Sequence, residues 1–145
     1  MVERTMSDGE RIRLLLVDGY QEDRRYWAER FSLSTERYEV VEAHDGQAGL
    51  QHCRQGLVHC ALLELLLPDM PGFEVLRALV QMAGSPRFGV LVLTRIESTS
   101  LLDLAKRNGA LAAFTKARTS RLDLDYAILG AMYRNGRRQP QGNGP

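Results

Sequence analysis

The sequence predicts an α/β fold: a doubly wound, five-stranded parallel sheet with strand order 2-1-3-4-5. Three observations predict it. Short apolar runs alternate with segments of helical periodicity five times along the chain. Three of those runs, Ile12–Val17, Val58–Leu63 and Val90–Leu93, are almost continuously apolar, as strands buried on both faces are. The 145 residues leave room for only five strands, which favours 2-1-3-4-5 over 3-2-1-4-5.

The elements follow in order. Ile12–Val17 is a buried strand ending at Asp18. Gln21–Phe31 reads as a helix with Tyr20, Trp27 and Phe31 on one face. Tyr38–Ala43 is the second strand. Gly46 marks a turn, and Gln47–Gln55 is a short helix with Leu50 and Cys53 inward. Val58–Leu63 is the third strand, followed by a loop at Pro68 and Pro71-Gly72. Phe73–Met82 is a helix, with Leu76, Leu79, Val80 and Ala83 at helical spacing, broken by Gly84, Pro86 and Gly89. Val90–Leu93 ends at Thr94. Ser98–Asn108 is a helix stopped by Gly109. Leu111–Thr115 is the fifth strand. Leu122–Tyr133 closes the chain as a helix with Leu122, Tyr126, Leu129 and Tyr133 along one apolar stripe.

Composition narrows the function. Lys and Arg number 19 against 18 Asp and Glu, so no basic footprint marks nucleic acid or an anionic membrane. A hydrophobic content of 44% excludes dominant disorder. Two cysteines exclude a disulfide scaffold. No apolar run approaches the roughly 20 residues of a bilayer span, and no signal peptide is visible. The expectation is a cytoplasmic chain: a flexible segment at 1–10, a domain at 11–136 and a polar tail or linker start at 137–145.

In such sheets ligands sit beyond the carboxyl ends of the strands, at the switch point between strands 1 and 3. The residues there are Asp18 and Gly19, Glu64, Thr94 and Arg95, and Lys116. Two acids, a hydroxyl and a lysine converge on one edge.

These residues carry a family resemblance. Leu14-Leu15-Leu16-Val17-Asp18, Tyr38 through Gly46, Leu65 through Gly72, Val90 through Thr94, and Gly109-Ala110 followed by Lys116 stand in order and at the right separations. The stretch from about Arg11 to Tyr133 resembles the receiver domain of two-component response regulators, a flavodoxin-like fold. The resemblance implies a phosphorelay module whose partners are a histidine kinase, a hybrid-kinase module or an output domain. It also implies a possible homodimer through the face of helix 4, strand 5 and helix 5, where Lys106, Arg107, Arg118 and Arg121 lie near Asp103, Asp123 and Asp125.

The departures decide the chemistry. Glu64 stands at the phosphoacceptor aspartate position. Gly19 replaces the second acid of the strand-1 pair. Arg95 replaces a small residue after the switch threonine, Thr94. Ala113 stands where the aromatic switch residue belongs, and Phe114 faces the other side by strand alternation. Phosphoryl transfer to a carboxylate needs Mg²⁺, which demands tight octahedral oxygen ligation. Gly19 removes a direct ligand of the metal, and shifting the attacking oxygen by about 1 Å at Glu64 costs on the order of a hundredfold in rate. Arg95 is expected to add bulk and positive charge where the phosphoryl would sit. The expectation is a degenerate receiver, or pseudo-receiver: not an enzyme, without a cofactor, binding Mg²⁺ weakly at most, with Glu64 pairing to Lys116 and accepting from Thr94. The alternatives are an atypical Mg²⁺-dependent, phosphorylatable receiver and a small-ligand module of flavodoxin-like fold.

Other patterns carry less. His52-Cys53 and His59-Cys60 lack zinc-site spacing. Glu22 and Asp23 either restore some metal affinity or merely favour a helix N-terminus. Asp69 reads as a turn residue. No Gly-rich phosphate cradle and no nucleophile elbow is present.

Overall fold

A computed structural model of the chain describes residues 10–83 and 88–136. Expectations for the N-terminal segment, for Gly84 and Pro86, and for the tail lie outside those residues. Five strands, β1 (Ile12–Val17), β2 (Tyr38–Ala43), β3 (Cys60–Leu63), β4 (Gly89–Thr94) and β5 (Ala112–Thr115), form one sheet. Its order is β2-β1-β3-β4-β5, and every pairing is parallel. The helices are α1 (Gln21–Ser32), α2 (Gly46–Gln55), α3 (Gly72–Ala83), α4 (Thr99–Arg107) and α5 (Arg121–Gly136). Gly89, read as a helix breaker, instead opens β4 and pairs with Cys60. A short 3₁₀ turn at Lys116–Arg118, absent from the sequence reading, links β5 to α5.

Strand alternation splits the core into two layers. Leu14, Leu16, Leu62 and Leu91 face α1 and α5, packing with Trp27, Phe31, Leu124 and Ile128. Leu15, Val17, Leu63 and Val92 face the other way, onto Leu50, Leu76 and Leu79. Ala113 lies on the second side and Phe114 on the first.

Two loops owe their shape to particular residues. Gly109 ends α4 at φ +111°, where an L side chain is strained. At Gly72 an added Cβ would fall 2.1 Å from the Leu65 carbonyl oxygen, so only glycine lets α3 start so close to the end of β3.

α5 differs from its expected orientation. Leu124, Ile128, Ala131 and Met132 are its buried residues, whereas Leu122, Tyr126 and Tyr133 are exposed. The helix carries two apolar stripes, and periodicity does not say which one meets the sheet. Tyr20 also departs from the Trp27–Phe31 face: it precedes α1 as its N-cap and lies at the strand-end site.

Candidate functional site

The parallel order places the ends of β1, β3, β4 and β5 side by side. Each strand leaves the core with one polar group: Asp18, Glu64, Thr94 and, just past Thr115, Lys116. Glu64 is 1% exposed and Thr94 fully buried. Such burial is costly unless every polar atom finds a partner, and here each does.

Lys116 is the hub. Its Nζ lies 2.7 Å from Asp18 Oδ2, 2.8 Å from Asp23 Oδ2 and 2.9 Å from Glu64 Oε1. Burial alone would lower the ammonium's pKa, but the three carboxylates outweigh it and hold the group above the usual lysine value. Burial pushes the Asp18 carboxyl up, despite hydrogen bonds from Lys116 and from the Tyr20 N–H. Asp23 is held below the ordinary aspartate value, chiefly by the Arg95 guanidinium.

Glu64 accepts from four directions. Oε1 takes the Arg95 N–H at 2.9 Å besides Lys116. Oε2 takes the Leu66 N–H at 2.9 Å and the Thr94 hydroxyl. The predicted Glu64–Lys116–Thr94 trio therefore meets, with two backbone amides added. Together these donors form an anion-binding hollow, filled by the chain's own carboxylate.

Arg95 is placed differently from expectation. Its guanidinium does not enter the hollow. It reaches Asp23, with Nε at 2.8 Å, and lies over the Tyr20 ring at 3.6 Å, a cation–π contact. The side chain thereby bridges the β4–α4 loop to α1 and walls clefts of about 610 and 570 Å³ on its two sides. Asp23 and Tyr20 are thus site residues; the sequence reading gave Asp23 only as a metal-affinity or helix N-terminal acid and put Tyr20 on the helix face. The signal available was their place in the first turn after β1, beside the strand ends.

Gly19 is held by packing. A Cβ there would meet Pro68 Cδ at 2.7 Å and the His44 carbonyl oxygen at 3.2 Å, so the backbone leaves little room for a side chain. Both oxygens of Asp18, Asp23 and Glu64 already accept hydrogen bonds. Among the described residues no group of three His, Cys, Asp or Glu is arranged to hold a metal ion. The carboxylate oxygens of this site are engaged by Lys116, Arg95 and backbone amides rather than held open toward a cation.

The remaining candidates are structural. Asp69 accepts from the Gly46 and Gln47 N–H groups at 2.9 Å each, capping α2 rather than making a turn alone. Glu22 is exposed. His59 Nδ1 accepts from the Arg13 N–H at 2.8 Å. Burial pushes the Cys53 thiol up to about 11 and that of Cys60 to about 12, so neither is a ready thiolate. Arg121 and Asp125, counted among the mixed charges of a partner face, turn instead toward Tyr38, Ser34 and the Arg30 carbonyl.

A doubly wound sheet with this arrangement at its switch point defines a class of signalling domain, and comparison agrees. The family model described as response regulator receiver domain matches residues 14–124, most of the chain, and the protein belongs to that family. A CheY-like receiver domain protein from Methanospirillum hungatei superposes with TM-score 0.75 at 22% identity, covering 90% of this chain and 100% of that one. The signal receiver domain of the response regulator NarL from Mycobacterium tuberculosis gives 0.71 at 26%, covering 90% and 99%. CheY from Borrelia burgdorferi, solved with CheX, BeF₃ and Mg²⁺, gives 0.71 at 16%, covering 82% and 87%. No curated protein matches the sequence. Among the described residues no helix is long and apolar enough to cross a membrane.

Proposed function

We propose that this chain is a pseudo-receiver: a two-component signalling module that works by protein contact and is not phosphorylated at its strand-end site. The observation that carries this reading is the Glu64 carboxylate. It accepts from Thr94, Lys116 and the Leu66 and Arg95 amides, the donors that an incoming phosphoryl oxygen would require. An internal anion in that hollow leaves nothing to bind an external one and holds Thr94 in a fixed position.

Two further features support the reading. Gly19 carries no carboxylate, which removes a Mg²⁺ ligand, and a side chain there would meet Pro68. Arg95 bridges to Asp23 across the crevice through which a phosphodonor would approach. On this reading the domain has no enzymatic activity and no cofactor, and its partners are proteins: a histidine kinase, a hybrid-kinase module or an output domain.

Intact mass after incubation with acetyl phosphate and Mg²⁺ tests it. The wild-type chain stays unmodified. A Gly19→Asp/Glu64→Asp/Pro68→Ala variant, which restores both acids and the room for them, gains about 80 Da, one phosphoryl group. A gain of that mass by wild type, mapped to Glu64, Asp18 or Asp69, would overturn the proposal.

A further inference from the structure

We propose that the cleft walled by Arg25 and Arg95 is a reversible binding site for a phosphate-type oxoanion, and that the ligand takes the Arg95 guanidinium from Asp23. The inference rests on the pseudo-receiver reading and deepens it, by naming a regulator that the domain binds without being phosphorylated.

Cations are unevenly shared at this end of the sheet. Asp23 Oδ2 takes Lys116 Nζ and Arg95 Nε, both at 2.8 Å. Its Oδ1 takes a second Arg95 nitrogen at 3.3 Å. Two cations thus serve one carboxylate. Arg25, half a turn further along α1, has none: among the described residues no hydrogen bond or ion pair holds it. Arg25 and Arg95 line the same cleft of about 610 Å³, together with Gly19, Tyr20, Gln21 and Glu22.

The Arg95–Asp23 pair is the contact the site can most easily release. The Arg95 side chain is 48% exposed, and ion pairs open to solvent contribute little. Once released, it leaves Asp23 on Lys116 and still has the Tyr20 ring to stack on. Its forked grip on Asp23 shows the ligand chemistry, because a planar guanidinium takes two oxygens of a carboxylate or a phosphate at once. A dianion suits the cleft better than a carboxylate, since two guanidinium groups line it against one acid, Glu22. The volume also leaves room for the organic part of a phosphate monoester. Arg95 donates its N–H to Glu64 Oε1, so a ligand that draws the side chain aside pulls on a residue that also holds Glu64.

Nuclear magnetic resonance titration of the full chain tests the inference, with inorganic phosphate, phenyl phosphate and acetate as probes at constant ionic strength. Phosphate shifts the Arg95 Nε–H and Tyr20 amide signals with half-saturation at about 1 mM or below, and acetate at the same concentration does not. Arg95→Gln and Arg25→Gln each weaken phosphate about tenfold. Asp23→Asn and Glu22→Gln strengthen it, because the first frees Arg95 and the second removes the acid that repels the ligand. Arg118→Gln, at an exposed arginine elsewhere, changes nothing. Tighter binding of phenyl phosphate than of inorganic phosphate identifies an ester as the ligand, and equal or weaker binding identifies the free anion. A phosphate response that does not saturate, that acetate matches, or that survives both Arg95→Gln and Arg25→Gln overturns the proposal. Phosphate binding leaves the mass of the chain unchanged, whereas failure of the pseudo-receiver reading shows as a covalent gain of about 80 Da with acetyl phosphate, so the two failures are told apart.

Discussion

Among the described residues, two polar networks are built on opposite logic. Around Lys116, three carboxylates from β1, α1 and β3 share one ammonium, with Arg95 bracing the outermost. Around Arg121, one guanidinium meets one carboxylate, Asp125, and otherwise neutral acceptors: the Arg30 carbonyl and the Ser34 hydroxyl, at 2.6 and 2.7 Å. Tyr38 completes that second network by donating to Asp125 at 2.6 Å, and burial together with Asp125 raises its phenol pKa. The Arg121 network is balanced, and it ties α5 to α1 and β2. The Lys116 network concentrates negative charge on one cation, an arrangement that stability alone does not call for. Its excess of acids belongs to a site, and the balanced network belongs to the scaffold.

Removing the hub cation should separate the two most sharply. Lys116→Met leaves three carboxylates facing one another and should cost about 3–5 kcal/mol, read as the loss in chemical denaturation. Glu64→Gln comes next. Its amide turns donors toward the N–H groups or the ammonium it faced, at about 2–3 kcal/mol, and it frees Thr94. Nuclear magnetic resonance of the Thr94 and Arg95 amides should report that release. Tyr38→Phe in the balanced network should cost less, about 1.5 kcal/mol, because Asp125 keeps Arg121. The smallest thermal effect is expected for Arg95→Ala, whose side chain stands half in solvent. Its signature is faster amide exchange in the β4–α4 loop with little change in melting temperature.

The pH dependence distinguishes the networks as well. Lys116 has a raised pKa in the fold, so its stabilisation is complete below the unfolded lysine value of about 10.4. That stabilisation fades as pH climbs through the folded value. The gap in melting temperature between wild type and Lys116→Met should therefore stay level through neutral pH and shrink in strong alkali. Asp23, held low, contributes stability above the unfolded value of about 3.9 that is lost as pH falls toward its folded value. Asp23→Asn should flatten the acid limb.

Much of this was legible in the sequence. Continuous apolar strands implied a sheet covered on both sides, and the strand count favoured the order found. Once that order holds, strand ends must converge, so Asp18, Glu64, Thr94 and Lys116 could be found at or one residue past the ends of their strands. Residues reaching the site from a helix were harder to see. Asp23 and Tyr20 depend on the angle at which α1 leaves β1, which no spacing rule specifies. The β4–α4 turn likewise decides that Arg95 offers its backbone to Glu64 and its guanidinium to Asp23. The α5 stripe was visible as a period but not as a direction, because Leu124 and Ile128 share that period on the opposite side.

Gly72 and Asp69 together carry a consequence for how any signal leaves Glu64. The loop after β3 is clamped at both ends, by the close backbone approach at Gly72 and by the Asp69 carboxylate on α2. Strain created at Glu64 therefore has a stiff wall toward α2 and α3. On the β4–α4 side the contacts run through the Thr94 hydroxyl and the Arg95 amide and guanidinium. On the proposed reading, a partner that grips the β4–α4 side is the one placed to read or reset the site.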